Sequence, residues 1–204
     1  MEVRDKIIEQ ATQKMRQVGI KSISIDDICH EIGISKKTFY VHFDTKDDLV
    51  AAMLRKHENF LQTSVRQAIE GKTVLELLLG FMQIAGETMD VRQIPPLVHD
   101  LKKYYPILYK EHLDNVRMFA QEVMREQIAR GVQEGIFRAD LDVDKTATIM
   151  SFAHNEMLNV APTIPADKHI TAWSHTRYAV DIFLRGIISE EGKRLVEEKL
   201  KVER

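Results

Sequence analysis

Two lysines flanked by hydroxyl side chains are the residues of this chain whose types and spacing could bind an anion. They are Lys36 and Lys37, with Ser35 before them and Thr38 after them. In the first turn of a short helix, such ammonium and hydroxyl groups can donate to phosphate oxygens. Either lysine can also donate to guanine O6 or N7, and Thr38 can contact a thymine methyl group. Each lysine considered alone is equally compatible with an ordinary solvated helix face.

The surrounding residues predict two short helices joined by a tight turn. Ser24 is a candidate N-cap, and the apolar residues between Ile25 and Ile32 share one helical face. Gly33 can end this helix, because a residue after a helix often takes a left-handed backbone that glycine adopts at little cost. Ser35 can cap the second helix, in which Phe39 and Phe43 are spaced to face the core. This pattern is typical of a helix-turn-helix, in which the second helix lies in the DNA major groove.

The segment from Ile28 to Leu49 resembles the TetR (tetracycline-repressor-like) family of bacterial transcriptional regulators. The matching pattern is Ile-x-x-Glu-Ile-Gly-Ile-Ser-Lys-x-Thr-Phe-Tyr-x-His-Phe-x-x-Lys-x-x-Leu. The resemblance implies that Tyr40 hydrogen-bonds the DNA backbone, that His42 lies near it, and that Lys46 contacts a phosphate. With Ser24 and Ser35, which suit caps better than base readers, the predicted DNA-binding residues are Ser24, Ser35, Lys36, Lys37, Thr38, Tyr40, His42 and Lys46.

Charge alone does not indicate a DNA-binding protein. The formal net charge is −2, and residues 1–60 contain as many Lys and Arg as Asp and Glu. Attraction to phosphate depends on where the positive charge lies. Lys36, Lys37 and Lys46 cluster in sequence with only Asp44 nearby, so we expect a positive patch confined to one face.

Composition predicts a helical protein of the cytoplasm. The chain has 204 residues with 44% hydrophobic content and a single cysteine, Cys29, so no intrachain disulfide can form. No apolar run approaches the roughly 20 residues that a membrane helix needs, and no signal-peptide pattern opens the chain. Cys29 falls on an apolar helix face, which favours a buried thiol over a redox sensor.

The apolar periodicity predicts an all-α fold of about nine to ten helices. We expect a three-helix DNA-binding head in residues 1–47 and a ligand-binding and dimerisation body in residues 48–204. A helix that Thr45 can cap extends toward Gly71, runs from one to the other and is the natural lever between them. Helices are expected over 74–89, from Pro96 to about 103, over 106–135, 143–160 and 167–188, and finally over 190–204.

The body is rich in methionine and aromatic residues, most of which at helical spacing form core. The resemblance implies a pocket there for a small organic effector, with Met82, Tyr104, Phe119 and His154 as candidate lining residues. The last two long helices carry apolar residues on more than one side. A homodimer joined through residues 145–188 would cover them, and family members also dimerise there. The alternative is a thick monomer core.

The predicted function is a ligand-responsive, dimeric transcriptional regulator, usually a repressor in this family, that binds a pseudo-palindromic operator. The alternatives are a helical small-molecule carrier or enzyme without DNA binding, and a DNA-binding protein whose body serves only assembly. No nucleophile elbow, Walker loop or dinucleotide-binding motif supports catalysis, and the eight histidines show no zinc-ligand spacing. We therefore expect no catalytic group, cofactor, metal or membrane partner.

Overall fold

Ten α-helices make up most of the chain in this computed structural model, which describes residues 2–84, 96–160 and 172–202. They are α1 (Val3–Val18), α2 (Ile25–Ile32), α3 (Lys36–His42), α4 (Lys46–Ile69), α5 (Val74–Ile84), α6 (Pro96–Tyr104), α7 (Pro106–Gln133), α8 (Val143–Val160), α9 (Ala172–Ile187) and α10 (Glu190–Val202). The predicted all-α fold is confirmed. The predicted helical residues 85–89 and 167–171 lie outside the described ranges.

The segment between α7 and α8 contains the one extended pairing that the described residues show, a bridge between Phe137 and Ile188. The Arg138 N–H donates to the Ile187 carbonyl, and the Ser189 N–H donates to the Ile136 carbonyl, each at 2.9 Å. The predicted loop at 135–142 is therefore fastened to the junction of α9 and α10.

The chain divides into two compact units. Unit 1 comprises the described residues within Met1–Val65 and Ile94–Val116, and unit 2 those within Arg66–Gln93 and Arg117–Arg204. Because their ranges cross the boundaries at 65/66 and 116/117, α4 and α7 contribute residues to both units. The predicted division into a DNA-binding head, residues 1–47, and a ligand-binding and dimerisation body, residues 48–204, stays a prediction.

Unit 1 has a continuous apolar core in which α1–α4 pack together with α6. Ile7, Met15 and Phe39 have no exposed surface, and Leu97 and Leu101 of α6 belong to the same cluster. Burying a side chain of this size stabilises the fold by about 1.5–3 kcal/mol. Cys29 is buried among these residues, as predicted, and burial raises the pKa of its thiol.

Unit 2 has a smaller described core, formed where α5, α7, α9 and α10 approach the 135–142 loop. Val74, Ile136, Phe137 and Ile187 are buried there, with half-buried leucines around them. Gly131 is required at this point, because a Cβ atom on it would lie 2.2 Å from the Phe137 ring. No helix that the structure describes is long and apolar enough to cross a membrane.

Candidate nucleic-acid interface

The first helix of the predicted pair, α2, begins at a reciprocal cap. Ser24 Oγ accepts from the Asp27 N–H at 3.1 Å, and the Asp27 carboxylate accepts from the Ser24 N–H at 2.7 Å. These bonds satisfy donors that a helix start otherwise leaves unpaired. The Ser24 hydroxyl also donates to the Asp27 carboxylate at 2.6 Å, and this bond, followed by the one from the Ser24 N–H, lowers the pKa of Asp27. Gly33 ends the helix with φ +70° and ψ +40°, a left-handed conformation. Both predicted helix limits are confirmed.

The second helix, α3, is a seven-residue segment with the same kind of start. Ser35 Oγ accepts from the Thr38 N–H at 3.1 Å, and the two hydroxyl oxygens lie 2.9 Å apart. The predicted Ser35 cap is therefore present, and Thr38 is half-buried beside it. Lys36 and Lys37 are both exposed in the first turn of this helix.

An acidic neighbour of Lys36 was missed by sequence reasoning. Lys36 Nζ lies 2.7 Å from the Asp26 carboxylate, and this hydrogen bond raises the pKa of Lys36. The expectation that only Asp44 lay near the lysine cluster was therefore wrong, because the turn at Gly33 folds α2 back beside α3. Both partners are more than half exposed, and an ion pair screened by solvent in this way contributes little to stability. A phosphate can replace Asp26 at little cost, whereas Lys37 already lacks an ion-pair partner among the described residues.

Two phenylalanines hold α3 in place. Phe39 is fully buried and Phe43 nearly so, with ring centroids 5.7 Å apart, and their predicted core role is confirmed. Tyr40 packs edge-on against Phe39 at 5.5 Å while half of its surface stays exposed. His42, in the last turn, is half-buried. An exposed hydroxyl and two exposed ammonium groups on one short helix can bind an extended anion.

Lys46 opens α4 and is bound within the protein. Its ammonium group donates to the carbonyl of Ile20 at 2.5 Å and also to the carbonyl of Ile23. Burial, followed by the charge of Lys21, lowers the pKa of Lys46. Thr45 caps this helix through reciprocal bonds with Asp48, as predicted. The predicted phosphate contact of Lys46 stays a prediction.

Two residues of the α6 region join this site without any signal in their local sequence. Asp100 accepts a hydrogen bond from the Lys21 backbone N–H at 2.9 Å, which is the main cause of its lowered pKa. Tyr105 is buried, and burial, together with a hydrogen bond to Asp47, raises its pKa to about 12. Only the fold reveals these pairs, since 79 residues separate Lys21 from Asp100.

The candidate effector residues stay a prediction, because the described residues of each unit contain only one of them with a described side chain. Tyr104 belongs to unit 1 and is 42% exposed, with Lys21 and Lys103 ammonium groups 5.0 and 5.1 Å from its ring centroid. Phe119 belongs to unit 2, is half-buried, and lies beneath the Arg66 guanidinium. The side chains of Met82 and His154 lie outside the described set. Among the described residues, no cluster of three or more His, Cys, Asp or Glu could hold a metal ion.

Comparison with known proteins places this geometry in context. Residues 7–53 match the family model described as bacterial regulatory proteins, tetR family. The chain is 25% identical over 144 residues to the transcriptional repressor KstR2 of Mycolicibacterium smegmatis, covering 69% of this chain and 70% of that protein. It is 32% identical to the transcriptional activator FasR of the same organism, over 35% of this chain and 33% of that one.

The fold also matches a solved structure along most of its length. A transcriptional regulator from Cytophaga hutchinsonii superposes with a TM-score of 0.69 at 17% identity, covering 91% of this chain and 98% of that chain. At this identity the likeness concerns the fold. The family model covers α2, α3 and their capping residues, whereas the structural match extends the same all-α architecture over most of the remaining chain.

Proposed function

The chain belongs to the TetR family of DNA-binding transcriptional regulators, and on that premise we propose that it is a homodimeric repressor that a small organic effector releases from its operator. The match to KstR2, a repressor, covers twice as much of the chain as the match to the activator FasR. The direction of regulation is proposed on that longer match.

The exposed side chains at the start of α3 are the main observation that supports DNA recognition. Exposed Lys36 and Lys37 follow the Ser35 cap, the exposed face of Tyr40 lies one turn further on, and buried Phe39 fixes the helix from behind. Lys37 and Thr38 then read base edges, while Lys36, Tyr40 and His42 contact the backbone. The helix N-terminus adds partial positive charge toward phosphate.

The dimer contact is proposed on α8 and α9, the two helices that pack against each other in unit 2. Four large apolar side chains on them are at least half exposed: Ile149, Phe152, Tyr178 and Ile182. Ile149 and Phe152 are three residues apart on α8, and Tyr178 and Ile182 are four apart on α9, so each pair lies on one face of its helix. Exposed apolar faces are a common mark of a protein interface. Pairing the same face across a two-fold axis covers it and supplies two heads for successive major grooves, about 34–36 Å apart.

The first experiment tests DNA binding and identifies the operator sequence in the same step. The full-length protein selects duplexes from a random pool, and the affinity for the enriched sequence is measured by fluorescence anisotropy at several salt concentrations. Lys37→Ala is expected to weaken binding and to relax the preference at one base pair, whereas Lys36→Ala is expected to reduce the salt slope by about 1. Lys193→Ala, which removes an exposed lysine from α10, is the matched control.

Failure to enrich any sequence, with no salt-sensitive affinity for duplex DNA, would contradict the proposal. A small-molecule carrier would give that result while still binding apolar compounds. A second result against the proposal is enrichment that Lys37→Ala and Thr38→Ala leave unchanged in the folded protein, because the assigned helix would then not be reading the bases.

The effector is proposed as a small, mainly apolar organic molecule, in keeping with the methionine- and aromatic-rich body. An effector that favours the free protein must lower DNA affinity, and DNA must lower effector affinity by the same factor. A panel of hydrophobic compounds is screened for thermal stabilisation, and each compound that stabilises is tested for release of the selected duplex. Stabilising compounds that leave DNA affinity unchanged would contradict the effector proposal and favour regulation by another route.

A further inference from the structure

The turn between α1 and α2, residues 19–23, sets where the first helix of the DNA-binding pair begins. It opens at Gly19, whose φ of +86° ends α1, and it leads directly into the Ser24 cap. Ile20 and Ile23 within it are buried in the core of unit 1. A turn enclosed in this way needs partners for its backbone N–H and C=O groups, because unpaired buried polar groups are costly.

A carboxylate from α6 satisfies one side of this turn. Asp100 accepts from the Lys21 N–H at 2.9 Å, and its side chain is only 13% exposed. The approach is close enough to restrict the turn sequence, since a Cβ atom at Gly19 would lie 2.8 Å from Asp100 Oδ2 and 3.6 Å from Pro96 Cβ. Helix α6 therefore packs directly against the α1–α2 turn at Gly19.

An ammonium group from α4 satisfies the carbonyl side of the same turn. Lys46 Nζ donates to the carbonyls of Ile20 and Ile23, so one charged side chain binds both buried residues of the turn. Hydrogen bonds to charged groups are roughly twice as strong as those between neutral groups. The turn is thus held by a negative group from α6 and a positive group from α4.

We propose that Asp100 and Lys46 are positioning residues for DNA binding: together they fix the α1–α2 turn, and through it the orientation of α2 and α3. The inference rests on the proposed function, since it concerns how the DNA-reading helices are presented. It assigns Lys46 a different role from the phosphate contact that the sequence suggests. It also makes α6 part of the DNA-reading apparatus without contact between Asp100 and DNA.

The salt dependence of binding separates positioning from phosphate contact for Lys46. A residue that binds a phosphate contributes about 0.9 to the slope of log affinity against log salt. Lys46→Met is expected to weaken binding to the selected duplex about tenfold or more while leaving this slope unchanged, whereas Lys36→Ala lowers the slope. A slope reduced by Lys46→Met as much as by Lys36→Ala would overturn the assignment.

The role of Asp100 is tested with two substitutions, one that removes the acceptor oxygen and one that keeps an oxygen but removes the charge. Asp100→Ala is expected to lower affinity about tenfold, in line with the loss of a charge-assisted hydrogen bond. Asp100→Asn, which keeps a side-chain oxygen of the same shape, restores most of the affinity. Glu111→Gln, at an exposed position on α7, is the control for the lost charge. If Asp100→Ala does not fold, Asp100→Leu, which is close to aspartate in size but has no acceptor, is measured in its place, and wild-type affinity with an unchanged Lys21 amide would overturn the proposal.

The Lys21 amide reports the contact directly. Its proton exchange with solvent, followed by NMR in the full-length protein, is expected to accelerate in Asp100→Ala and to stay slow in Glu111→Gln. A double-mutant cycle adds the Gly19 contact: the affinity loss caused by Gly19→Ala should be smaller in the Asp100→Ala background, where the 2.8 Å approach is removed. Additive losses would contradict the arrangement.

The two proposals fail in different ways. A wild-type protein that binds no DNA refutes the proposed function. If the wild type binds its selected duplex, and Asp100→Ala and Lys46→Met bind that duplex equally tightly, the function stays intact and only the positioning role is refuted.

Discussion

Units 1 and 2 differ in how completely their apolar residues are enclosed. In unit 1, buried residues from α1–α4 and α6 form one cluster, with Ile7, Met15 and Phe39 at zero exposure. In unit 2, the described helices α8 and α9 leave Phe152 and Tyr178 about two-thirds exposed. Unit 1 therefore encloses a continuous core within the single chain, with Phe60 and Ile107 exposed on its surface, whereas on α8 and α9 of unit 2 we propose that a partner covers the exposed apolar side chains. A DNA-reading surface needs a rigid frame, and an assembly surface needs accessible apolar groups.

A charged side chain introduced on the exposed apolar faces of α8 and α9 in unit 2 should produce the largest effect, both on assembly and on operator affinity. Phe152→Glu or Ile182→Glu is expected to give a monomer and to lower operator affinity by about a hundredfold or more, because linked sites gain 10²–10⁴ in avidity. Sedimentation velocity and anisotropy measure the two effects. The control is Ile107→Glu, at an apolar position on α7 that is 73% exposed. A monomeric variant with wild-type operator affinity would contradict the assembly proposal.

Removal of a core ring from unit 1 should produce the next largest effect. Phe39→Ala is expected to lower the free energy of unfolding by about 3–5 kcal/mol, because the enclosed site leaves a cavity. Phe60→Ala, at a position on α4 that is 65% exposed, should change it by less than about 0.5 kcal/mol. Chemical denaturation measures both. Equal effects would mean that unit 1 is less completely packed than its burial indicates.

Loss of the α3 cap should have a smaller effect. Ser35→Ala removes the acceptor of the Thr38 N–H and is expected to cost about 1 kcal/mol of stability. Ser35→Asn, another good cap, should restore most of it. Thermal unfolding combined with operator affinity tests whether Ser35 acts as a cap. If Ser35→Asn recovers stability while DNA affinity stays low, the hydroxyl contacts DNA directly.

The smallest expected effect comes from the polar cluster between α4 and α7 in unit 1. His112 Nδ1 lies 2.7 Å from Glu58 Oε1, and the His57 and His112 ring centroids are 5.3 Å apart. Burial, then the charges of His112 and Arg16, lower the pKa of His57, against an attraction from Glu58. Below an ordinary histidine pKa of about 6.5, the unfolded chain therefore takes up this proton more readily than the folded one.

Stability contributed by neutral His57 is therefore present above about pH 6.5 and is lost as the pH falls through the folded-state pKa. Urea unfolding between pH 7.5 and 5 should show this loss, and His57→Gln should reduce it. His30→Gln, at an exposed position on α2, is the control. A pH profile that His57→Gln leaves unchanged would assign the loss to other groups. Because His57 is only half-buried, we expect less effect than from the cap.

The sequence predicted the features that depend on neighbouring residues. Ser24, Gly33, Ser35 and Thr45 each end or begin a helix through bonds that span three or four positions, and all four were identified from local pattern. Apolar periodicity likewise predicted which side of α3 carries Phe39 and Phe43.

Contacts between distant residues were not predictable in the same way. The family pattern assigns Lys46 to a phosphate contact, yet its ammonium group donates to the carbonyls of Ile23 and Ile20, which lie 23 and 26 residues away in the sequence. Nothing beside Asp100 or Glu58 in sequence indicates that the first caps the α1–α2 turn or that the second accepts from Asn115. Such pairs arise from the packing of whole helices, which a linear pattern does not contain.

The close packing of α6 against Gly19 limits which segments of this chain can be exchanged to build hybrid regulators. Exchanging residues 1–47 with those of a relative divides the protein at a convenient sequence boundary, yet it separates the Lys21 amide from Asp100. A foreign turn with any larger residue in place of Gly19 would meet the Asp100 carboxylate. A hybrid with altered operator choice therefore requires the exchange of two separate segments. These are the N-terminal helices and Pro96–Tyr104.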